Sequence, residues 1–166
     1  RRSLLGIREV FSNHTYAHRM NEVFVKIGMK KRIPIEPDIL LVAQAGSEAE
    51  LYELMRIADR QTYRNFKLII ETPDVRPITA PRAVDIVKQG YIKSESLCVH
   101  TKGVTAMGWL SPNAKYGTEY LRDLVNAMVY QPDASGWAKA IKNDSFAFNE
   151  SSVLEGALWK KSVFLK

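Results

Sequence analysis

Apolar residues recur at helical spacing through the first 28 residues of the chain. Two runs carry the pattern, one with Leu4, Ile7, Val10 and Phe11 and the other with Met20, Val23, Phe24 and Ile27. Apolar positions three and four residues apart line one side of a helix. The polar stretch 12–15 separates the runs and offers Asn13 or Thr15 as a cap, and Gly28 is a natural stop. The pattern predicts a helical N-terminal segment over residues 1–28.

A basic, proline-containing stretch follows the helical segment. Residues 29–37 read MKKRIPIEP, with three consecutive cations and two prolines. Prolines stiffen a chain and remove backbone donors, and clustered like charges keep it solvated. We therefore expect a linker over residues 29–37 and a separate domain over residues 38–166.

The domain opens with a pattern typical of a strand, a helix and a second strand. The apolar run DILLVAQA covers residues 38–45 and KLIIE covers residues 67–71, and both suit short strands that are buried on two faces. Between them, Ser47 and Glu50 have the S-x-x-E spacing of a helix capping box. Such a unit has parallel strands and a right-handed crossover, so the pattern predicts an α/β domain.

The patterns after residue 71 predict the remaining helices and strands of the domain. RAVDIVKQG, residues 82–90, is predicted as a short helix, and SLCVH, residues 96–100, as a strand. VTAMGWL is predicted as a strand over residues 104–110, and TEYLRDLVNAMVY as a helix over residues 118–130. Two late strands are predicted in ASGWAKAI and SSVLEGALWK. Together, the predicted elements indicate a three-layer α/β/α fold with a mostly parallel sheet and an N-terminal helical appendage.

Composition adds an expectation about location. The chain has 166 residues, 46% of them apolar, and its single cysteine, Cys98, excludes an internal disulfide. A lone cysteine is typical of a reducing compartment, so we expect a cytoplasmic protein. No apolar run approaches the roughly 20 residues that span a bilayer.

The net charge of +6 is concentrated at the N-terminus. Residues 1–37 hold eight Lys or Arg against three Asp or Glu, and residues 38–166 hold 16 against 15. A nucleic-acid groove interleaves basic residues with aromatics, and the main domain lacks that pattern, so we expect no nucleic-acid partner. Basic residues 1–32 suit a solvated appendage, peripheral contact with an anionic inner membrane face, or an acidic protein surface.

Several stretches of residues 37–166 resemble a family 2 glycosyltransferase of the GT-A fold. The most specific is QTYRNFKLII, residues 61–70, and GVTAMGWLSPNAKYGTEYLRDLV resembles the family's central strand, its metal-binding DxD turn and the next helix. LEGALWKKSVF resembles the later strand under the acceptor site, and NHTYAHRMNEVFVKIG is similar to the closing helix of a GT-B-like glycosyltransferase domain. The resemblance implies transfer of a sugar from a nucleotide-diphospho-sugar to a glycan or protein acceptor.

The resemblance also places the family's site residues on this chain. The DxD aspartates, which hold Mg²⁺ or Mn²⁺ in the family, fall on Ser111 and Asn113, so the motif is degenerate and no metal ligand is assigned. A functional site would leave Mg²⁺ or Mn²⁺ open as a cofactor. The family's acidic pair after the second strand falls near Glu71 and Asp74, and Gln44 ends the first strand. We expect these five residues to contact the nucleotide sugar.

Glu155 is the residue expected on the acceptor side, and no catalytic residue is assigned. The family's catalytic base would lie beyond Lys166, so we expect the domain to be truncated at its C-terminus. Two functions stay open, namely a GT-A glycosyltransferase domain and a catalytically inactive GT-A-like scaffold or interaction module of a larger protein. A type I turn would also account for Ser111 and Pro112, which suit the first two positions of such a turn.

Overall fold

The chain divides into two compact units, Arg1–Pro37 and Asp38–Lys166. The computed structural model describes residues 2–30, 32–33, 36–74, 79–81, 83–92, 96–139, 148–149 and 156–164. Within these ranges, no helix is both long and apolar enough to cross a membrane.

The N-terminal unit contains two short helices, α1 (Arg2–Asn13) and α2 (Tyr16–Lys26). The Thr15 side chain caps α2 by accepting the backbone N–H of His18, which confirms the predicted break and cap. The side-chain amide of Asn21 exchanges two hydrogen bonds with the backbone of Ile33, at 2.8 and 2.9 Å. Asn21 therefore ties the basic stretch back to α2.

The second unit arranges strands and helices around one mixed sheet. In chain order its elements are β1 (Ile39–Gln44), α3 (Glu48–Arg60), β2 (Phe66–Thr72), β3 (Val84–Lys88), α4 (Ser96–His100), β4 (Ala106–Leu110), α5 (Tyr120–Tyr130), β5 (Gly136–Lys139), β6 (Phe148–Asn149), β7 (Ala157–Lys160) and α6 (Lys161–Phe164). The strand order is β3-β2-β1-β4-β7-β5-β6. Strands β3, β2, β1 and β4 run parallel, and β7, β5 and β6 pair antiparallel. The predicted α/β class is confirmed.

The predicted β1–α3–β2 unit is present, and its helix is capped as its sequence indicates. The Ser47 hydroxyl accepts the backbone N–H of Glu50 at 3.3 Å. The Glu50 carboxylate accepts the N–H of Gly46 at 2.7 Å, one residue before the position that a capping box normally uses. Leu51 and Leu54 are buried on the inner face of α3. The cap and the apolar face together set the path of the crossover.

The prediction of a short helix over residues 82–90 is wrong, because Val84–Lys88 forms β3 at one edge of the sheet. This strand pairs in parallel with β2, in the register Leu68↔Val84 and Ile70↔Ile86. Val84 is buried, and β-branched side chains favour a pleated strand when a neighbouring strand is available. That neighbour is a tertiary partner, which local spacing does not reveal.

The prediction of a strand over residues 96–100 is also wrong, because these residues form α4. Leu97 is buried, whereas Val99 is 77% exposed. A strand would place residues 97 and 99 on the same face. A helix separates positions two residues apart by about 200°, which allows one to be buried and the other exposed.

Apolar side chains cover both faces of the sheet. The larger cluster joins strand residues to Leu54 of α3 and Leu124 of α5. The smaller cluster lies on the opposite face and joins other strand residues to Leu97 of α4. The late strands predicted in ASGWAKAI and SSVLEGALWK are present as β5 and β7, of which β7 begins at Ala157. Burial of the parallel strands on both faces leaves their ends and loops for binding.

Candidate functional site

The strand order creates a reversal point between β1 and β4. From β1 the chain builds β2 and β3 on one side, then returns to add β4 on the other side of β1. Ala43 pairs with Leu110, so the carboxyl ends of β1 and β4 lie side by side. In open α/β sheets, ligands bind in the crevice outside the carboxyl ends at such a point. The predicted residues Gln44 and Ser111 lie at these two ends.

Gln44 and Glu71 are in direct contact at the carboxyl ends of β1 and β2. The Gln44 side-chain amide donates to one carboxylate oxygen of Glu71 at 3.1 Å. The backbone N–H of Ile92 donates to the other oxygen at 2.9 Å. Glu71 is only 4% exposed, while Gln44 is exposed. Glu71 therefore fixes the loop after β3 and orients Gln44, and it is Gln44 that faces solvent.

Asp74 lies apart from this pair, in a pocket of about 210 Å³. The pocket is lined by Gly46, Ser47, Glu48, Leu51, Thr72, Pro73 and Asp74. It lies between the start of α3 and the end of β2. Glu48 and Asp74 make its wall acidic, so it suits hydroxyl and N–H donors better than a phosphate. The N–H groups of Gly46 and Glu50, which a phosphate would need, already donate to protein side chains.

Ser111 begins the turn that follows β4. The N–H of Ala114 donates to the carbonyl of Ser111 at 3.3 Å, which closes a four-residue turn through Pro112 and Asn113. The N–H of Ser111 donates to the Tyr116 hydroxyl at 2.9 Å. A tyrosine hydroxyl thus holds the first residue of the turn that the resemblance assigns to the DxD motif.

Tyr116 belongs to an aromatic brace that reaches the start of β7. Its ring packs edge-on against Tyr120, with 4.8 Å between the ring centroids. The Tyr120 hydroxyl donates to the carbonyl of Gly156, and the N–H of Gly156 donates to the carbonyl of Trp109 at 2.9 Å. Burial, with a smaller contribution from Tyr116, raises the pKa of Tyr120 well above its usual range. Tyr120 therefore remains a neutral donor.

The donors at the turn do not fit a divalent cation. Mg²⁺ and Mn²⁺ prefer carboxylate oxygens, and Ser111 and Asn113 offer only neutral ones. Among the residues that the structure describes, no three His, Cys, Asp or Glu side chains are grouped so that they could hold a metal. The hydroxyl of Ser111 and the amide of Asn113 are instead hydrogen-bond donors of the kind that a phosphate oxygen accepts.

The structure brings some of the predicted residues together and separates others. Gln44 contacts Glu71, and Ser111 shares a turn with Asn113, whereas Asp74 lies in the acidic pocket. Glu155 lies outside the described residues. Sequence reasoning missed Tyr116, Tyr120 and Ile92. The four-residue spacing of the two tyrosines was a weak signal, since it does not reveal which backbone groups their hydroxyls reach.

A larger pocket, of about 500 Å³, opens at the opposite end of the parallel strands. It is lined by Ala58, Asp59, Arg64, Phe66, Pro81, Ala83 and Val84. Phe66 and Val84 begin β2 and β3, so this pocket lies at the amino ends of the parallel strands. Arg64 donates to the carbonyl of Asp59 at 3.1 Å. Because ligands of such sheets bind at the carboxyl ends, we place the candidate site at Gln44, Asp74 and Ser111.

Comparison with known proteins identifies no family. None of the protein-family models searched matches the chain. No curated protein matches it significantly either.

Proposed function

We propose that residues 38–166 form a family 2-like GT-A glycosyltransferase domain, which binds a nucleotide-diphospho-sugar at the carboxyl ends of β1, β2 and β4. The observation that carries the proposal is the reversal point between β1 and β4, which aligns the ends of these strands. The resemblance of QTYRNFKLII and of GVTAMGWLSPNAKYGTEYLRDLV to that family supports it, because these stretches supply β2, β4 and the turn.

In this proposal each side chain has a role that suits its chemistry. Gln44 and Asp74 contact the nucleoside, because an exposed amide and a carboxylate accept hydrogen bonds from base and ribose donors. Ser111 and Asn113 donate to the diphosphate. Glu71 acts indirectly by orienting Gln44. Since the donor set does not fit Mg²⁺ or Mn²⁺, binding should proceed without a metal.

The acceptor side is proposed from the resemblance alone. Glu155 would face a glycan or protein acceptor there. In such a transfer the acceptor oxygen forms a bond to the anomeric carbon of the sugar as the bond from that carbon to the diphosphate breaks. The nucleoside diphosphate leaves, and the hydroxyl proton passes to a general base, which is not assigned on this chain. We propose a cytoplasmic location because the chain has a single cysteine and because the proposed donor is a nucleotide sugar.

Calorimetric titration of UDP, GDP and their sugars, with and without Mn²⁺, tests the proposal. We expect one of these ligands to bind with similar affinity in both conditions. The double variant Ser111→Ala/Asn113→Ala should weaken binding at least about a hundredfold, because two hydrogen bonds to a charged group are lost, at about 1.5–3 kcal/mol each. The matched control, Gln131→Ala, removes an exposed amide at the C-terminal end of α5 and should leave affinity unchanged. If no nucleotide binds, the proposal is refuted.

A second candidate is a catalytically inactive GT-A-like scaffold. The observation that favours it is the hydrogen bond between the Ser111 N–H and Tyr116, which occupies a donor at the turn. For a scaffold, Ser111→Asp combined with Asn113→Asp should create no transfer activity and at most weak Mn²⁺ binding. Transfer of a sugar by the unmodified chain, measured as release of the nucleoside diphosphate, would exclude this candidate.

A further inference from the structure

Four titratable side chains form a hydrogen-bonded row on one face of the sheet. The Lys67 ammonium of β2 lies 2.6 Å from a carboxylate oxygen of Asp85 in β3 and 3.1 Å from Nδ1 of His100, the last residue of α4. On the other side of the ring, Nε2 of His100 lies 2.8 Å from the Tyr91 hydroxyl oxygen. We call these four residues the His100 network. None of them belongs to the candidate site.

The partners of His100 determine which ring nitrogen carries the proton. At neutral pH a lysine is an ammonium, which only donates hydrogen bonds, so Nδ1 of His100 accepts from Lys67. The proton of the neutral ring is then on Nε2, which donates to the oxygen of the Tyr91 hydroxyl. The hydrogen bonds of the network therefore require a neutral imidazole.

Protonation of His100 removes one of these contacts. Both ring nitrogens of an imidazolium are donors, so the Nδ1–H would point at the Lys67 ammonium, 3.1 Å away. The hydrogen bond is lost, and two like charges are brought together. The side chains of Lys67 and Asp85 are each 43% exposed, so solvent can deliver the proton.

The surrounding charges do not favour a second cation. Lys161 of α6 donates to the backbone carbonyl of the residue after His100, at 2.7 Å, and Lys102 follows in the chain. Asp85 is the only carboxylate in the His100 network and already contacts Lys67 at 2.6 Å. A protonated His100 would therefore share this one carboxylate with Lys67, beside two further lysines.

The network holds a stretch of chain that reaches the carboxyl end of β2. Tyr91 and Ile92 pack against the smaller apolar cluster of the sheet. The N–H of Ile92 donates to the buried carboxylate of Glu71 at 2.9 Å, and the same carboxylate accepts from Gln44. Since Tyr91 and Ile92 are adjacent, the contact of Tyr91 with His100 also fixes the donor to Glu71.

We propose that His100 is a pH-sensitive contact, which holds Tyr91 and Ile92 against the sheet when its imidazole is neutral and releases them when it is protonated. Release of Ile92 removes one of the two hydrogen bonds that fix Glu71. The orientation of Gln44 at the end of β1 therefore changes in acid. The contact forms whether or not the domain binds a nucleotide sugar.

The pH range follows from the residue types present. Histidine is the side chain that ordinarily changes charge between about pH 5 and 8. The chain has three histidines, of which His14 and His18 lie in the N-terminal unit, so His100 is the histidine of residues 38–166. The contact is therefore present above about pH 7 and is lost as the pH falls through about 6.

Nuclear magnetic resonance of the ¹⁵N-labelled chain tests the proposal. At about pH 8 the ring nitrogens of His100 should show the Nε2–H tautomer. Between about pH 7.5 and 5.5 the hydrogen-exchange protection factor of the Ile92 N–H should fall at least about fivefold, and the side-chain amide signal of Gln44 should shift. The protection factor of Val42, in β1, should stay constant. The Nδ1–H tautomer, a constant value at Ile92, a fixed Gln44 signal or an equal fall at Val42 would overturn the proposal.

Two variants identify the groups responsible. His100→Gln provides an amide oxygen and an amide N–H₂ at every pH, so the fall at Ile92 should disappear. His14→Gln, at a side chain that is 56% exposed, should retain the fall. Lys67→Met removes the ammonium that meets the protonated ring and should also abolish the fall, whereas Lys115→Met, at an exposed position, should not. A fall that persists in His100→Gln or in Lys67→Met would contradict the proposal.

Discussion

The hydroxyl of Tyr116 accepts the backbone N–H of Ser111 at 2.9 Å, five residues before it in the chain. This contact holds the turn after β4 and occupies the backbone donor of its first residue. Tyr116→Phe removes the acceptor while keeping the ring against Tyr120. Loss of one such hydrogen bond should cost about 1 kcal/mol of unfolding free energy and lower Tm by about 2–4 °C.

Thermal unfolding followed by circular dichroism measures this cost. Tyr130→Phe is the control, because Tyr130 is 71% exposed, and its Tm should match the unmodified chain. The same Tyr116→Phe variant should bind UDP or GDP about threefold more tightly, since it frees the Ser111 N–H as a donor. A drop in affinity would mean that Tyr116 supports the turn in its binding conformation.

The raised pKa of Tyr120 predicts a loss of stability at alkaline pH. The folded state holds the Tyr120 proton more tightly than the unfolded chain does. The contribution to unfolding free energy is therefore fully present below about pH 10, the pKa of an exposed tyrosine, and is lost as pH rises above it. Urea unfolding between pH 8 and 11 should show this decline, and Tyr120→Phe should flatten it. An equally steep decline in Tyr120→Phe would contradict the assignment.

Glu71 is expected to matter more for stability than for direct contact with a ligand. Glu71→Ala removes both carboxylate oxygens, so the N–H of Ile92 and the amide of Gln44 lose their acceptors. An unsatisfied buried donor costs about 1–3 kcal/mol. Urea unfolding should show this loss, and Asp133→Asn, at an exposed position, should show little change. Equal stability of the two variants would exclude a structural role for Glu71.

Gly108 allows β4 and β7 to approach closely. A Cβ at this position would lie 2.7 Å from the carbonyl oxygen of Ala157 and 2.9 Å from a Leu158 methyl group. Gly108→Ala should therefore cost about 1–3 kcal/mol through overpacking. Gly117→Ala is the control, because a Cβ there has no neighbour within 4 Å. Similar denaturation midpoints for both variants would show that the strands separate without cost.

The candidate site was predictable only in part. The residues at strand ends, Gln44 and Ser111, follow from the apolar runs, because a short buried strand must end where its apolar run ends. The burial of Glu71 could not be predicted, since its carboxylate is satisfied by Ile92, which lies 21 residues further along the chain. The contact of Tyr116 with Ser111 depends on a loop conformation that has no sequence period.

The sequence by itself determined the elements whose signals are local. The capped helix α3 follows from Ser47 and Glu50, and β1 follows from a compact apolar run, because caps and periodicity act within a few residues. Only the tertiary structure decided whether Val84–Lys88 became a strand and Ser96–His100 a helix. Short apolar segments suit either state, so the available partner selects one. Strand β2 pairs with the first segment, and the face of the sheet buries Leu97 of the second.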